Sequence, residues 1–301
     1  MHDVMASPSE PSSYLPRHLA ADEFYGVGDG WAEPLTAELA RTALEAAWAG
    51  SEVIRAAAGS TERSATGIST KVSETDMVSD VDRSSEAAIN DVLGQRRPDD
   101  GLLAEEGSAR TGTTGVRWVV DPLDGTTNFL FGIPQYAVSV AAEVDGIPVV
   151  GVVWDPCRSE IWAAASGHGA FCNGVRCAVR DGGHSLATAL VATGFAYQSR
   201  SRLWQGEVAM RVLPVVRDLR RLGSAALDLS WLGGGRFDAF YEWGLKPWDL
   251  QAGALIASEA GAKVETFPNG TTVATTPFLF GPICELLLDA GGLDEPEPSS
   301  G

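Results

Sequence analysis

The chain has 301 residues, 45% hydrophobic and 21% charged, a composition that supports one large folded unit or two closely packed ones with a sizeable core. Its net charge of −18 excludes nucleic-acid binding through a general basic surface, so a nucleic-acid partner is not expected. Four cysteines without a CxxC pair and four histidines without an HExxH motif exclude a disulfide framework and a zinc site. Residues 1–33 are rich in Ser, Pro, Gly and acid and read as a flexible extension, with no basic and apolar leader; no stretch is apolar enough to span a bilayer. The expectation is a cytoplasmic protein with reduced thiols and no membrane partner.

Leu35 to Ala58 has helical spacing and strong helix formers, stopped by Gly59. A second helix is predicted from Arg83 to Arg97, with Ile89, Val92 and Leu93 inward and Asp82 placed to cap it. The period then changes. Gly101–Ala104 reads as a short strand ending in Glu105-Glu106, and Arg117–Val120 as another ending in Asp121. Gly107 to Gly115, rich in Gly, Ser and Thr, reads as a mobile flap beside Glu105. Strands follow at about 136–144, 147–154 and 159–165, the first two joined through the hairpin signal Asp145-Gly146. The second half is expected to hold a strand at Leu186–Thr193, a helix at Trp204–Arg211, a helix at Ser224–Leu232 and a strand at Phe237–Glu242. A last helix is expected at Trp248–Ala260, closed by Gly261, with Asp249 as its N-cap. This mixture implies a layered α/β (α+β) architecture over 34–288, in two packed halves of about 34–184 and 185–288, with an acidic tail at 289–301.

Asp121-Pro122-Leu123-Asp124-Gly125-Thr126-Thr127-Asn128 is the most informative stretch. Burying ionised carboxylates beside an apolar strand costs several kcal/mol each unless something positive compensates. A hard divalent cation such as Mg²⁺ does so, because it prefers carboxylate and carbonyl oxygens. Gly125 and Thr126 would then open a helix whose free N–H groups can hold a phosphate. Each acid alone has a plainer reading: Asp82 and Asp249 as helix caps, Glu105-Glu106 as an exposed turn, Asp121 and Asp124 as turn formers. Co-occurrence favours a shared site, since four acidic motifs each sit where an apolar element meets a turn.

The succession GLLAEEG, WVVDPLDGTTNF and KPWDLQAGALIASEAG resembles the inositol monophosphatase family of lithium-sensitive, magnesium-dependent phosphatases over about residues 35–285. Supporting segments include Lys71 with Asp76–Asp82, Gly169–Gly174, Gly223–Ala226 and Asp238–Glu242. The resemblance implies an αβαβα sandwich of the sugar-phosphatase type, a homodimer, and two or three Mg²⁺ ions per site. It assigns the first ion to Glu105, Asp121 and the Leu123 carbonyl, and the second to Asp121, Asp124 and Asp249. A third, weaker ion would be held through water by Glu105 and Glu106. Gly125 and Thr126 would donate to the phosphate, and Asp82 would orient the Thr126 hydroxyl beside the attacking water. Gly223, Ser224, Ala225 and Glu242, with Asp124 and Asp249, would face the substrate. Thr127 stands where histidinol-phosphate phosphatases often carry lysine, so the implied substrate is the phosphomonoester myo-inositol 1-phosphate. Histidinol phosphate, fructose 1,6-bisphosphate, NADP and adenosine bisphosphates are the alternatives within the superfamily. Some bacterial members also associate with the transcription machinery, which leaves a non-enzymatic binding role as a different class of reading.

Overall fold

The computed structural model describes residues 34–59, 69–70, 77–180, 182 and 185–294. The expected N-terminal extension, Lys71, Asp76 and residues 295–301 of the expected acidic tail lie outside the described residues. Helix α1 (Pro34–Ala58) agrees with its apolar spacing. Helix α2 (Asp80–Arg96) starts earlier than Arg83, because Ser79 is its N-cap. Asp82 is therefore the third helical residue, closing a capping box in which its Oδ2 accepts from the Ser79 amide at 2.8 Å. The two helices meet closely at Gly50, where a Cβ would lie 2.8 Å from Ile89 Cδ1 and from Ser85 Oγ.

Strands β1 (Ser69–Thr70) and β2 (Met77–Val78) form a small antiparallel ribbon. A large sheet contains β3 (Gly101–Ala104), β4 (Ala109–Arg110), β5 (Val116–Asp124), β6 (Ala137–Val144), β7 (Ile147–Asp155), β8 (Glu160–Ala165), β9 (Gly169–Cys172) and β10 (Val175–Arg176). Its order is β10-β9-β8-β7-β6-β5-β3-β4, and β3 runs parallel to β5. Asp145 and Gly146 both have positive φ, 51° and 82°, which is the twist a two-residue turn between β6 and β7 requires. Short helix α3 (Thr126–Leu130) follows β5.

A 3₁₀ turn occupies Leu186–Thr188, so the strand expected from Leu186 begins only at β11 (Leu190–Thr193). Helix α4 (Ser199–Val212), β12 (Asp218–Arg220), α5 (Ala225–Gly233), β13 (Ala239–Trp243) and α6 (Pro247–Glu259) follow. β14 (Lys263–Thr266), β15 (Thr271–Thr275) and α7 (Phe280–Asp289) complete the order; like β9, β10 and β12, they have no counterpart among the elements expected from the sequence. The second sheet has the order β12-β11-β13-β15-β14.

Alternation along the strands arranges these parts in five layers. Trp118, Val120, Val138, Val140, Ile161 and Ala163 pack against Leu44 and Ile54 of α1 and Ile89 and Leu93 of α2. Their neighbours Val119, Ala137, Ala141 and Trp162 face Leu227 of α5 and Ala252 and Ile256 of α6. Other residues of those two helices, Leu229, Leu232 and Ala257, meet Ala192, Phe240 and Ala274 of the second sheet. The last core joins Val191, Ala239, Tyr241 and Val273 to Val208 and Val212 of α4 and Ile283 and Leu287 of α7. The architecture is a helix–sheet–helix–sheet–helix sandwich, and its middle helices are apolar and small-residued because both their faces are covered.

Gly107–Gly115, expected as a flap, is fastened instead. It contains β4, Thr113 N donates to Asp99 O at 2.8 Å, and Thr114 Oγ1 donates to Asp100 Oδ1 at 2.6 Å. The four cysteines are free thiols. Among the described residues, no helix is long and apolar enough to cross a membrane.

Candidate active site

Strand β5 does not end in Asp121 as expected; it continues through both acids to Asp124. Its pairing with β6 shifts between Asp121, opposite Ser139, and Asp124, opposite Ala137. Pro122 and Leu123 thus stand against Val138 alone, a bulge at the residue that lacks a backbone donor. In a regular strand, residues three apart point to opposite faces. The bulge removes that opposition, and Asp121 and Asp124 line one cavity of about 540 Å³.

Gly125 has φ 102°, and a Cβ there would lie 2.9 Å from the Gln135 carbonyl and 3.1 Å from Tyr136 Cβ, so only glycine fits this turn. The Thr126 hydroxyl donates to Asp82 Oδ1 at 2.7 Å and also lies 3.1 Å from the Leu123 carbonyl. Asp82 itself is fully buried behind Thr126, outside the cavity wall. Asp124 Oδ2 accepts from Ser224 Oγ at 2.6 Å and Ala226 N at 2.8 Å, and Ser224 is the N-cap of α5. The acid is thereby tied to the Gly223–Ala225 segment. Asn128 strengthens the same join, donating to the carbonyls of Gln135 and Leu222 at 2.7 Å each.

Asp249 is the third residue of α6, not its N-cap; its Oδ2 accepts from Lys246 N at 2.7 Å. Glu105 follows β3, its amide donating to Val120 O at 3.1 Å, and the neighbouring Glu106 amide donates to Glu86 Oε2 at 2.8 Å. The cavity brings together Glu105, Asp121, Leu123, Asp124, Gly125, Thr126, Gly223, Ser224, Ala225, Glu242 and Asp249. Of the expected site residues, Asp82 acts from behind the wall, and Glu106 is likewise not among the residues that line the cavity.

These acids crowd one another. Burial, then Glu105, Asp124 and Asp249, push the Asp121 carboxyl far above the usual range. Burial likewise lifts Asp124 to about 6, although hydrogen bonds from Ser224 and Ala226 oppose it. Asp249 rises through burial and the nearby Asp124. Such a cluster repels itself, and its donors are hard oxygens throughout. Among the described residues, no three His, Cys, Asp or Glu side chains form a ready cage for a metal ion. Mg²⁺ does not need one, because it keeps several waters and takes one or two carboxylates. Asp121, Asp124 and Asp249 each commit an oxygen to a fold hydrogen bond, and Leu123 also lines the cavity. The donor set therefore fits hydrated Mg²⁺.

Residues not singled out from the sequence complete the wall. Asp228 of α5 is buried, and its Oδ1 has no hydrogen-bond partner among the described residues. Burial and then Glu242 and Asp124 raise its carboxyl well above the usual range. Its sequence signal was an acid between Leu227 and Leu229 in an apolar helix. Arg221 and Lys246 are cationic members of the lining. Glu242 rests on Gly194, where a Cβ would be 2.1 Å from its carboxylate, and burial lifts its carboxyl to about 8 against the opposing pull of Arg221.

Residues 35–287 match the inositol monophosphatase family model. The chain belongs to that family. It is 47% identical over 205 residues to the inositol-1-monophosphatase SuhB of Mycobacterium tuberculosis H37Rv, covering 64% of this chain and 70% of that protein. It is 41% identical over 210 residues to the Nus factor SuhB of Pasteurella multocida, covering 69% of this chain and 78% of the relative. The solved structure of extragenic suppressor protein suhB from Bartonella henselae matches with a TM-score of 0.77 at 34% identity, over 83% of this chain and 98% of that one. Membership of the inositol monophosphatase family supports phosphatase activity for this cavity.

Proposed function

We propose that the chain is a Mg²⁺-dependent phosphomonoesterase that hydrolyses myo-inositol 1-phosphate to inositol and phosphate. The observation that carries this reading is the convergence of Glu105, Asp121, Asp124 and Asp249 on the cavity that also contains Thr126, held from behind by Asp82. Glu105, Asp121 and the Leu123 carbonyl would hold one ion, Asp121, Asp124 and Asp249 a second, and Glu105 with Glu106 a weaker third through water. When bound, Mg²⁺ lowers the pKa of water and stabilises charge on the phosphoryl and leaving oxygens.

The chain's own groups do the rest. Asp82 takes the Thr126 hydroxyl proton as a hydrogen bond, leaving the oxygen lone pairs to orient the attacking water. The backbone N–H groups of Gly125 and Thr126, at the start of a helix, are donors for the phosphate. Gly223–Ala225 and Glu242 meet the polyol hydroxyls, fixed respectively by Asn128 and by the bare face of Gly194. The inositol-1-monophosphatase designation of the mycobacterial relative supports the choice of ester. Homodimerisation, inhibition by Li⁺ and a cytoplasmic location belong to the same reading, and sedimentation and Li⁺ titration test the first two.

The decisive experiment measures phosphate release from inositol 1-phosphate, histidinol phosphate, fructose 1,6-bisphosphate, NADP and adenosine 3′,5′-bisphosphate, with Mg²⁺ and with EDTA. A kcat/KM preference for inositol 1-phosphate that EDTA abolishes is expected. Preference for another ester would move the substrate and keep the chemistry. The relative named Nus factor motivates a second reading, a transcription-associated binding role. Tight binding of labelled RNA at low salt, without Mg²⁺-dependent turnover of any ester, would favour it.

A further inference from the structure

A second void, of about 10 Å³, shares Thr193, Gly194, Glu242 and Trp243 with the main cavity and reaches Gln205 and Tyr241. It opens where the parallel pair β11 and β13 ends: Thr193 is in register with Tyr241, and from Gly194 the chain leaves the sheet to form the cavity wall. Three polar atoms at this void have no hydrogen-bond partner among the described residues: Thr193 Oγ1, Gln205 Nε2 and Tyr241 OH. Their residues are 2%, 6% and 6% exposed, so bulk water does not serve them. The two hydroxyls face each other without closing a good hydrogen bond. Three unmet groups around one void is a rare arrangement in folded proteins.

Neighbouring groups are already engaged. Gln205 Oε1 accepts from Ala196 N at 2.8 Å, which fixes the amide so that Nε2 is the spare donor. Trp204 and Trp243 meet edge to face, with centroids 5.8 Å apart, and their indole N–H groups donate elsewhere, to Gly291 O and Asn269 O. The void matches the roughly 10–15 Å³ that one water needs. A cation is disfavoured because Gln205 Nε2 presents hydrogens. Water satisfies every group: it accepts from Gln205 and one hydroxyl and donates to the other.

We propose that this void binds one structural water, and that Gln205 and Tyr241 are positioning residues acting through it on the Thr193–Gln198 wall. The water site stands on geometry alone; its kinetic consequence rests on the proposed phosphomonoesterase reading. The test is a crystal structure of the full chain at a resolution that shows ordered water, with kinetics of Tyr241→Phe and Gln205→Glu. Both changes are close to isosteric, and Gln205→Glu keeps the acceptor for Ala196 while removing the donor to water. One density peak within about 2.7–3.2 Å of the three polar atoms is expected. Each variant should raise KM for inositol 1-phosphate on the order of three- to tenfold with kcat nearly unchanged. Turnover of 4-nitrophenyl phosphate, which has no polyol, should stay at the wild-type value. An empty void overturns the water site, and an unchanged KM in both folded variants overturns the positioning role. Should the wild type cleave no phosphomonoester, the functional reading fails while the density still decides the water site.

Discussion

Asp121 has its Oδ1 on the Leu123 amide and shares the cavity with five other carboxylates. Replacing it by Asn removes a charge expected to serve two ions, and turnover should fall by at least about 10²–10³-fold. The fold should survive, and in EDTA the variant should melt no lower than the wild type, because a repelling charge is gone. Mg²⁺-activation curves and thermal melts check both statements; wild-type Mg²⁺ activation would defeat the metal assignment. Thr126→Val should lower kcat while leaving Mg²⁺ binding in place, measured by calorimetry beside kinetics. The raised acids also set a pH dependence. Glu242 is lifted to about 8 from a usual 4.5 and Asp124 to about 6 from 3.8, so between those values the native state holds protons that the unfolded chain has lost. Stability without metal should therefore fall as pH rises from about 4 to 8. Mg²⁺ should oppose the fall by favouring the ionised carboxylates, and melting temperatures at pH 5 and pH 8, with EDTA and with Mg²⁺, read it out.

Helix α6 brings Asp249 to the cavity at its start, and near its end Glu259 accepts from Gly167 N and Gly169 N at 2.8 Å each. Its middle lies on β7 so closely that a Cβ on Gly151 would be 2.8 Å from the Ala252 carbonyl and 2.9 Å from its Cα. The obstacle is backbone, so Gly151→Ala must displace the helix. A loss of about 1–3 kcal/mol is expected in urea unfolding, with weaker Mg²⁺ activation because Asp249 moves too. Most elements on either side of this contact were legible from period and punctuation. The differences are local: the plainer reading makes Asp82 and Asp249 helix caps, whereas Ser79 and Lys246 occupy those positions and each acid turns back from the third helical residue. The strand end at Asp121 was misplaced because a bulge around Pro122 leaves no period to read. β14 carries Lys263 and Glu265 on an edge and α7 is only ten residues long, so neither has a strong pattern. In the site, acids at junctions were legible one motif at a time. Asp228, Arg221 and Gln205 were not, since they become neighbours of Glu242 only through packing between layers.

The whole chain bears a charge of −18, and its inferred substrate is also an anion. The long-range field opposes their encounter even where Mg²⁺ reverses the sign locally. Raising ionic strength from about 10 to 150 mM with a non-chelating salt, at saturating Mg²⁺, should thus increase kcat/KM, by roughly twofold; a fall would mean that the cavity's own field governs capture. A different consequence follows from the five layers. The acids from Glu105 to Asp124 come from the large sheet and Asp249 from a middle helix, whereas Thr193–Gln198 and Glu242 come from the end of the small sheet. On the proposed reading, part of the alcohol's contact is thereby carried on a different piece of scaffold from the ion-holding acids, with Gly223–Ala225 at the start of a middle helix between them. A library confined to residues 193–205 and 241–243 would vary that contact while leaving Glu105, Asp121, Asp124 and Asp249 in place.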